Sequence, residues 1–254
     1  MRLAGKRVLI TGTGTVGGQG AAAQALFARE GAHVIGCDVK EGAAEQTADR
    51  LRAEGFDVSG TTVDLTDPVA AEQWIEDGAA RLGGMDVLYN NAARARFAPF
   101  AEMTLELWRD VIHGELDVIF HTTRPAWKHL KRAAGASIIN TASMSGVRGI
   151  SPLGQAAHAA AKGGVIALTK TLAAEGASDG IRANAISPGL VKTPSTDAFV
   201  GDELRAFQMN MHLIRRPGLG DDIAYLAVYL ASDESSWVTG QNYSIDGGVT
   251  AGFR

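Results

Sequence analysis

Two side chains in the run QAAHAAAKGG (155–164) have the types and spacing for proton chemistry. His158 and Lys162 lie four residues apart in an alanine-rich stretch. In a helix both would point to one face, one turn apart. An imidazole ordinarily titrates at about 6.5, so it can take up or release a proton at neutral pH. The same spacing also fits a solvated helix face, so the rest of the chain has to decide between the two.

A second constellation is the turn TGTGTVGGQG (11–20), between an apolar run and an alanine-rich one. Glycines let the backbone turn sharply and approach a pyrophosphate, which a helix N-terminus can hold. A tight strand-to-helix turn would also need them, but the next apolar run, HVIGCD (33–38), closes on an acid, Asp38. A carboxylate there can accept hydrogen bonds from the ribose hydroxyls of NAD and repels the extra phosphate of NADP. The pair reads as a dinucleotide site, with NAD favoured over NADP. Gly12, Gly14 and Gly17 fit G-x-G-x-x-G literally, and Gly12, Gly18 and Gly20 form a rival set with a longer spacer.

The elements that would position these residues alternate along the chain. Strands are expected at 6–11, 33–38, within 56–64, and at 85–90, 136–143, 181–189 and 241–248. Helices are expected at 20–31, ending at Gly31, at 42–54, and from Pro68 with Asp67 as N-cap. Further helices are expected at about 104–132, with irregularity near Pro125, and at 155–178, and two more helical segments precede the last strand. Strict alternation without a linker predicts one domain, 1–254, built as an α/β Rossmann-type, doubly wound, seven-stranded parallel sheet flanked by helices. Ligands then bind outside the carboxyl ends of the strands, where Gly12, Asp38, Asp64, Asn90, Ser143 and Pro188 fall.

Composition narrows the function classes. The 254 residues carry 46% hydrophobic and 20% charged side chains and a formal net charge of −4. No basic block offers a nucleic-acid surface, and no apolar run is long enough to span a membrane. The N-terminus shows no signal core, and the single Cys37 forms no internal disulfide, so a cytoplasmic protein is expected.

The chain as a whole resembles the short-chain dehydrogenase/reductase family. Thr11, Gly12, Gly18 and Gly20 match its glycine loop with two extra spacer residues, and the count back from Asp38 through AAAQALFAREGAHVIGCD puts Gly20 at the last glycine. VDLTD places Asp64 and Leu65 at the adenine contact, and YNNAA resembles N-N-A-G with Ala93 for glycine. IINTASMSG brings Ser143 to the catalytic serine, and NAISPGLVKTP resembles the Pro-Gly motif beside the nicotinamide. The segment GDDIAYLAVYLASDESSWVTGQNYSIDGG matches the usual C-terminal segment. The resemblance implies cofactor contacts from Gly12, Gly18, Gln19, Gly20, Asp38, Val39, Asp64, Leu65, Asn90, Ala92, Lys162, Val191 and Thr193. It also implies a homodimer or homotetramer, with the 104–132 and 155–178 helices forming a dimer face.

Two departures fall on the chemistry. The family's active site uses Asn, Ser, Tyr and Lys, the last two as Y-x-x-x-K. Here HAAAK gives Lys162 at the lysine and His158 at the tyrosine, while GELDVIF puts Glu115 at the asparagine. Tyr89, Tyr225, Tyr229 and Tyr243 lie on other elements. The resemblance implies an NAD-dependent alcohol/ketone oxidoreductase in which neutral His158 accepts the alcohol proton. Ser143 would hold the substrate oxygen, Lys162 would hold the nicotinamide ribose, and Glu115 would steady an imidazolium or pair with Lys162. Two other functions remain open at this point: a lyase or hydratase on the same fold, and a silent NAD-binding protein.

His113, His121 and His129 are spaced two turns apart, too far for one ion, so no metal is expected. Substrate contacts are expected from loops 93–103, 144–154 and 190–215. Arg94, Arg96, Phe97 and Phe100 in the first, Arg148 in the second, and Phe199, Phe207, Met209 and Met211 in the third suggest a partly apolar or aromatic small molecule. The segment 194–213 is a candidate lid.

Overall fold

The short β-branched runs form strands, and the alanine-rich runs between them form helices. The computed structural model describes residues 1–150, 154–197 and 201–252. Its first half runs β1 (Arg7–Thr11), α1 (Gln19–Arg29), β2 (His33–Asp38), α2 (Ala43–Ala53), β3 (Val58–Thr62), α3 (Pro68–Leu82) and β4 (Val87–Asn90). Then come α4 (Leu105–Ile112), a π-helical segment (His113–Asp117), α5 (Val118–Leu130), β5 (Ser137–Thr141) and α6 (Ala156–Gly176). The chain closes with β6 (Arg182–Pro188), α7 (Pro194–Asp197), α8 (Asp202–Met211), α9 (Gly220–Ala231) and β7 (Asn242–Ile245). All strands are parallel, in the order β3-β2-β1-β4-β5-β6-β7. The direction of winding reverses between β1 and β4, which opens a crevice at their carboxyl ends.

Period-two alternation sorts the strand side chains into two cores. Val8 and Ile10 pack with Phe27, Ala48, Ile223 and Val228 from α1, α2 and α9. Leu9 packs on the other face with Ile75, Ile119 and Val165 from α3, α5 and α6. Burial on both faces is what a parallel sheet requires. Phe27 is fully buried and stacks on Tyr89 with ring centroids 6.3 Å apart. Phe27→Ala is expected to lower the unfolding free energy by about 3–5 kcal/mol in urea denaturation, through lost burial and the cavity left behind. A loss below about 1 kcal/mol would show that this contact does not hold α1 to the sheet.

Local signals place the helix ends. The Asp67 side chain accepts from Val69 N at 2.9 Å, with Pro68 in the first turn. After α1, Gly31 takes φ +91° while its N–H and that of Ala32 return to Ala28 O and Phe27 O, a glycine-dependent C-cap.

The expected 104–132 helix differs from the observed one. Its irregularity lies at residues 113–117, while Pro125 is buried within α5. A π turn shifts the hydrogen-bond ladder and changes the facing of the residues after it. It also suits a docked loop: Gly114 O accepts from Arg94 N at 3.2 Å. The last strand is shorter than 241–248 because Gly247 and Gly248 turn the chain at φ +62° and +89°. Among the described residues no helix is long and apolar enough to cross a membrane.

Candidate active site

A cavity of about 570 Å³ opens along the carboxyl ends of the strands. Its lining follows the sheet order: Asp64 after β3, Asp38 on β2, Gly12 after β1, Ala92 after β4, Ser143 after β5 and Val191 after β6. From β2 to β5 is three strand spacings, roughly 14 Å, a span suited to an extended two-part ligand.

At the β1 end the loop closes on itself. A Cβ on Gly20 would stand 2.1 Å from Gly12 O, and one on Gly12 would stand 2.9 Å from Ala92 Cα. Gly12 also needs its φ of +76°, a region costly to other residues. Gly18 precedes α1 and supplies no side-chain cap, so the first-turn N–H groups have no side-chain acceptor and can serve an anion. Of the two glycine sets left open by spacing, Gly12, Gly18 and Gly20 line the cavity, whereas Gly14 and Gly17 do not. Gln19, Val39, Leu65 and Thr193 line it too. Gly20→Val is expected to abolish binding of NADH, followed by its fluorescence; retained affinity would show that the loop is not a phosphate cradle.

The acids at this end are held in place. Asp38 accepts from Gly14 N at 2.9 Å and Lys40 N at 3.0 Å, which aims its carboxylate at the cavity. The Thr66 hydroxyl, 2.6 Å from Asp64 Oδ1, holds the Asp64 carboxyl below its usual range against the opposing effect of burial.

Asn90 departs from the expected set. Its side chain is buried between sheet and helix, donating to Thr123 Oγ1 and Asn140 Oδ1 and accepting from Thr122 Oγ1. Residues alternate across a strand, so the next residue, Asn91, faces the cavity instead and donates to Thr11 O and Gly12 O.

At the β5 end, Ser143, His158, Lys162 and Glu115 line the same cavity. His158 and Lys162 share one face of α6, and the π segment brings in Glu115. His158 Nδ1 lies 2.8 and 2.9 Å from the two Glu115 carboxylate oxygens. Glu115 is fully buried and the His158 side chain is 12% exposed. Phe97 meets the His158 ring edge-on at 5.7 Å between centroids. Lys162 Nζ donates to Thr141 O at 2.9 Å. Burial pushes the Lys162 amine down from its usual range, and the Glu115 charge partly opposes this. Ser143 Oγ accepts from Ser145 N at 3.1 Å.

A carboxylate can only accept, so Nδ1 carries the proton in this pair. In a neutral ring Nε2 is then the basic nitrogen. None of the four tyrosines lines the cavity; Tyr89 is buried in the sheet and its phenol is pushed up to about 12. The site therefore offers an imidazole backed by a carboxylate, with a buried ammonium and a hydroxyl nearby.

Several expected substrate contacts lie elsewhere. Phe100 is 77% exposed, and Phe207, Met209 and Met211 do not line the cavity. Their helix turns Gln208 inward, a residue that hydrophobic patterning passes over. Arg94 lines the cavity but pairs with Asp110 at 2.7 Å, as does Arg96 at 3.3 Å. Arg148 donates to Val249 O at 2.7 Å. Phe199 lies outside the described residues. The rings of His113 and His121 meet at 5.7 Å, yet among the described residues no group of three or more His, Cys, Asp or Glu is gathered to hold a metal ion.

Comparison with known proteins gives a consistent picture. A family model described as Enoyl-(Acyl carrier protein) reductase matches residues 14–250. A 3-oxoacyl-acyl-carrier-protein reductase of Thermotoga maritima is 38% identical over 253 residues, spanning 98% of this chain and 99% of the relative. A meso-2,3-butanediol dehydrogenase of Serratia marcescens is 35% identical, spanning 99% and 97%. A crystal structure described as a short-chain dehydrogenase/reductase from Burkholderia xenovorans superposes with a TM-score of 0.93 at 32% identity, covering 100% of this chain and 99% of that one.

Proposed function

Because the chain belongs to the short-chain dehydrogenase/reductase family, we propose that it is an NAD-dependent oxidoreductase interconverting a secondary alcohol and a ketone, with His158 as its proton-transferring residue. The observation that carries this reading is the contact of His158 Nδ1 with buried Glu115 at 2.8 Å.

The glycine loop and the uncapped start of α1 fit a dinucleotide pyrophosphate, and Asp38, Val39, Asp64 and Leu65 fit its adenosine end. Lys162, Val191 and Thr193 would hold the other end. When bound, a nicotinamide dinucleotide supplies the hydride acceptor for oxidation and the hydride donor for reduction. His158 Nε2 takes the proton from the alcohol oxygen as the carbon loses hydride, and returns it in reduction. Glu115 accepts a hydrogen bond from Nδ1–H throughout, fixes the tautomer and steadies the transient imidazolium. Ser143 positions the substrate oxygen, and the Lys162 ammonium adds positive charge where an alkoxide would develop.

NADH formed from secondary alcohols, or consumed with ketones, is the test. Turnover without any net change in NADH would favour a lyase or hydratase instead, and tight NADH binding without turnover would favour a silent binding protein. Asp38 supports the choice of NAD. A charge repulsion of about 1–4 kcal/mol against a ribose phosphate corresponds to roughly fivefold or more in affinity. Asp38→Ala is therefore expected to raise the NADP to NAD ratio of kcat/KM by at least about fivefold, and an unchanged ratio would remove Asp38 from the discrimination. A homodimer or homotetramer is also proposed. Phe120 on α5 is exposed and Trp237 is 99% exposed, and light scattering reads the assembly directly.

A further inference from the structure

Among the cavity's polar groups that the proton-transfer scheme does not use, Gln208 is set apart by its burial. Gln208 is the only described residue of α8 that is buried, at 3% exposure, while Ala206, Phe207 and Asn210 beside it are exposed. A helix packed for stability alone would bury an apolar side chain on that stripe. Gln208 instead faces the cavity that contains Ser143 and His158, and its Oε1 is buried with no hydrogen-bond partner. An unsatisfied buried acceptor is costly, and native proteins carry few of them.

The position is fixed from behind. His212 Nδ1 lies 2.6 Å from Gln208 O, and Ile214 N donates to Gly247 O at 2.9 Å. The C-terminal turn presses on that histidine so closely that a Cβ on Gly247 would stand 2.6 Å from His212 Cδ2. Neighbouring polar groups are already committed. Gln155 Oε1 accepts from Ser145 Oγ at 2.9 Å, and the Thr193 and Thr196 hydroxyls pair at 3.1 Å. Among the described residues the cavity's other buried amide oxygen without a partner, Gln19 Oε1, belongs to the glycine-loop end.

We infer that Gln208 determines specificity by accepting a hydrogen bond from a second hydroxyl group on the substrate, so that the preferred substrate is an alcohol carrying a further hydroxyl. This rests on the oxidoreductase reading above. A hydroxyl can both donate to Oε1 and accept from Nε2 of this amide, whereas a ketone, ether or carboxylate oxygen has no proton to donate and leaves Oε1 unpaired; a cationic amine would call for a charged acceptor. A site built to bond a hydroxyl discriminates strongly against the analogue lacking it, because its own group is left unpaired.

The test compares cyclohexanol, 1,2-cyclohexanediol and 1,4-cyclohexanediol as substrates with NAD, in the wild-type chain and in Gln208→Leu and Gln208→Met. The wild type is expected to prefer at least one diol over cyclohexanol. Both variants should lose that preference, with kcat/KM for the diol falling roughly 10- to 100-fold and that for cyclohexanol nearly unchanged. The dissociation constant of NADH should stay the same. Equal losses on all three alcohols would overturn the inference. So would weakened NADH binding with the preference kept, which would assign the donor to the cofactor amide. Should the wild type transfer no hydride at all, the oxidoreductase reading fails separately. Gln208 is then read from thermal melts of the NADH complex, where a diol must raise the Tm of wild type and not of the variants, and an equal rise in all three overturns the inference.

Discussion

His158→Ala is expected to lower kcat for alcohol oxidation by about 10²- to 10⁴-fold, the usual contribution of a positioned general base, while NADH binding stays intact. Among the described residues neither a tyrosine nor Lys162 is placed to replace it. All four tyrosines lie off the cavity, and Lys162 is committed to Thr141 O at 2.9 Å. The alanine variant leaves Glu115 buried without its partner, which by itself can destabilise the fold. His158→Gln keeps a side-chain donor for that carboxylate and has no basic nitrogen. Both variants should lose turnover, and the glutamine variant should keep a near-native Tm. Full activity in the folded glutamine variant would remove His158 from the chemistry.

Glu115→Gln separates catalysis from stability. An amide is cheaper to bury than a carboxylate, so the Tm should hold or rise. The amide can also donate to Nδ1, which moves the ring proton to Nε2 and leaves no lone pair there for the alcohol. Breaking a comparable histidine–carboxylate pair costs about 10⁴-fold in a serine protease; here a loss of roughly 10²- to 10⁴-fold in kcat, with KM little changed, is expected. A variant that lost stability but kept kcat would show Glu115 to be only a structural partner of α6.

The architecture was legible because the sequence repeats its signal. Each strand run ends at a residue with a reason to be there, and Asp67–Pro68 and Gly31 marked helix ends by local chemistry alone. The cavity also gathers Gly12, Asp38, Ser143, His158 and Lys162, because a parallel sheet brings its strand ends to one edge. Spacing could not foresee the π segment: no residue type demands one, and Pro125 drew attention to the wrong turn. Nor could it settle the partner of Glu115, since both His158 and Lys162 were within reach on paper. Asn90 was expected at the cofactor, and its neighbour Asn91 lines the cavity instead, because successive side chains of a strand point to opposite faces. Gln208 escaped notice because hydrophobic patterning in that segment points to apolar side chains, and the helix turned its one buried amide inward instead.

The pH dependence of kcat/KM for alcohol oxidation, in wild type and His158→Tyr, is the sharpest test of proton transfer by His158. The base must be unprotonated to accept the alcohol proton, so activity falls on the acidic side as that group takes up a proton. Reference phenol and imidazole values lie about 3.5 units apart, and a nearby ammonium favours phenolate and disfavours imidazolium alike, so it does not bring the two together. The expected result is an acid limb displaced to higher pH, by at least about one unit, in the tyrosine variant. An acid limb in the same place in both proteins would mean that residue 158 does not carry the proton.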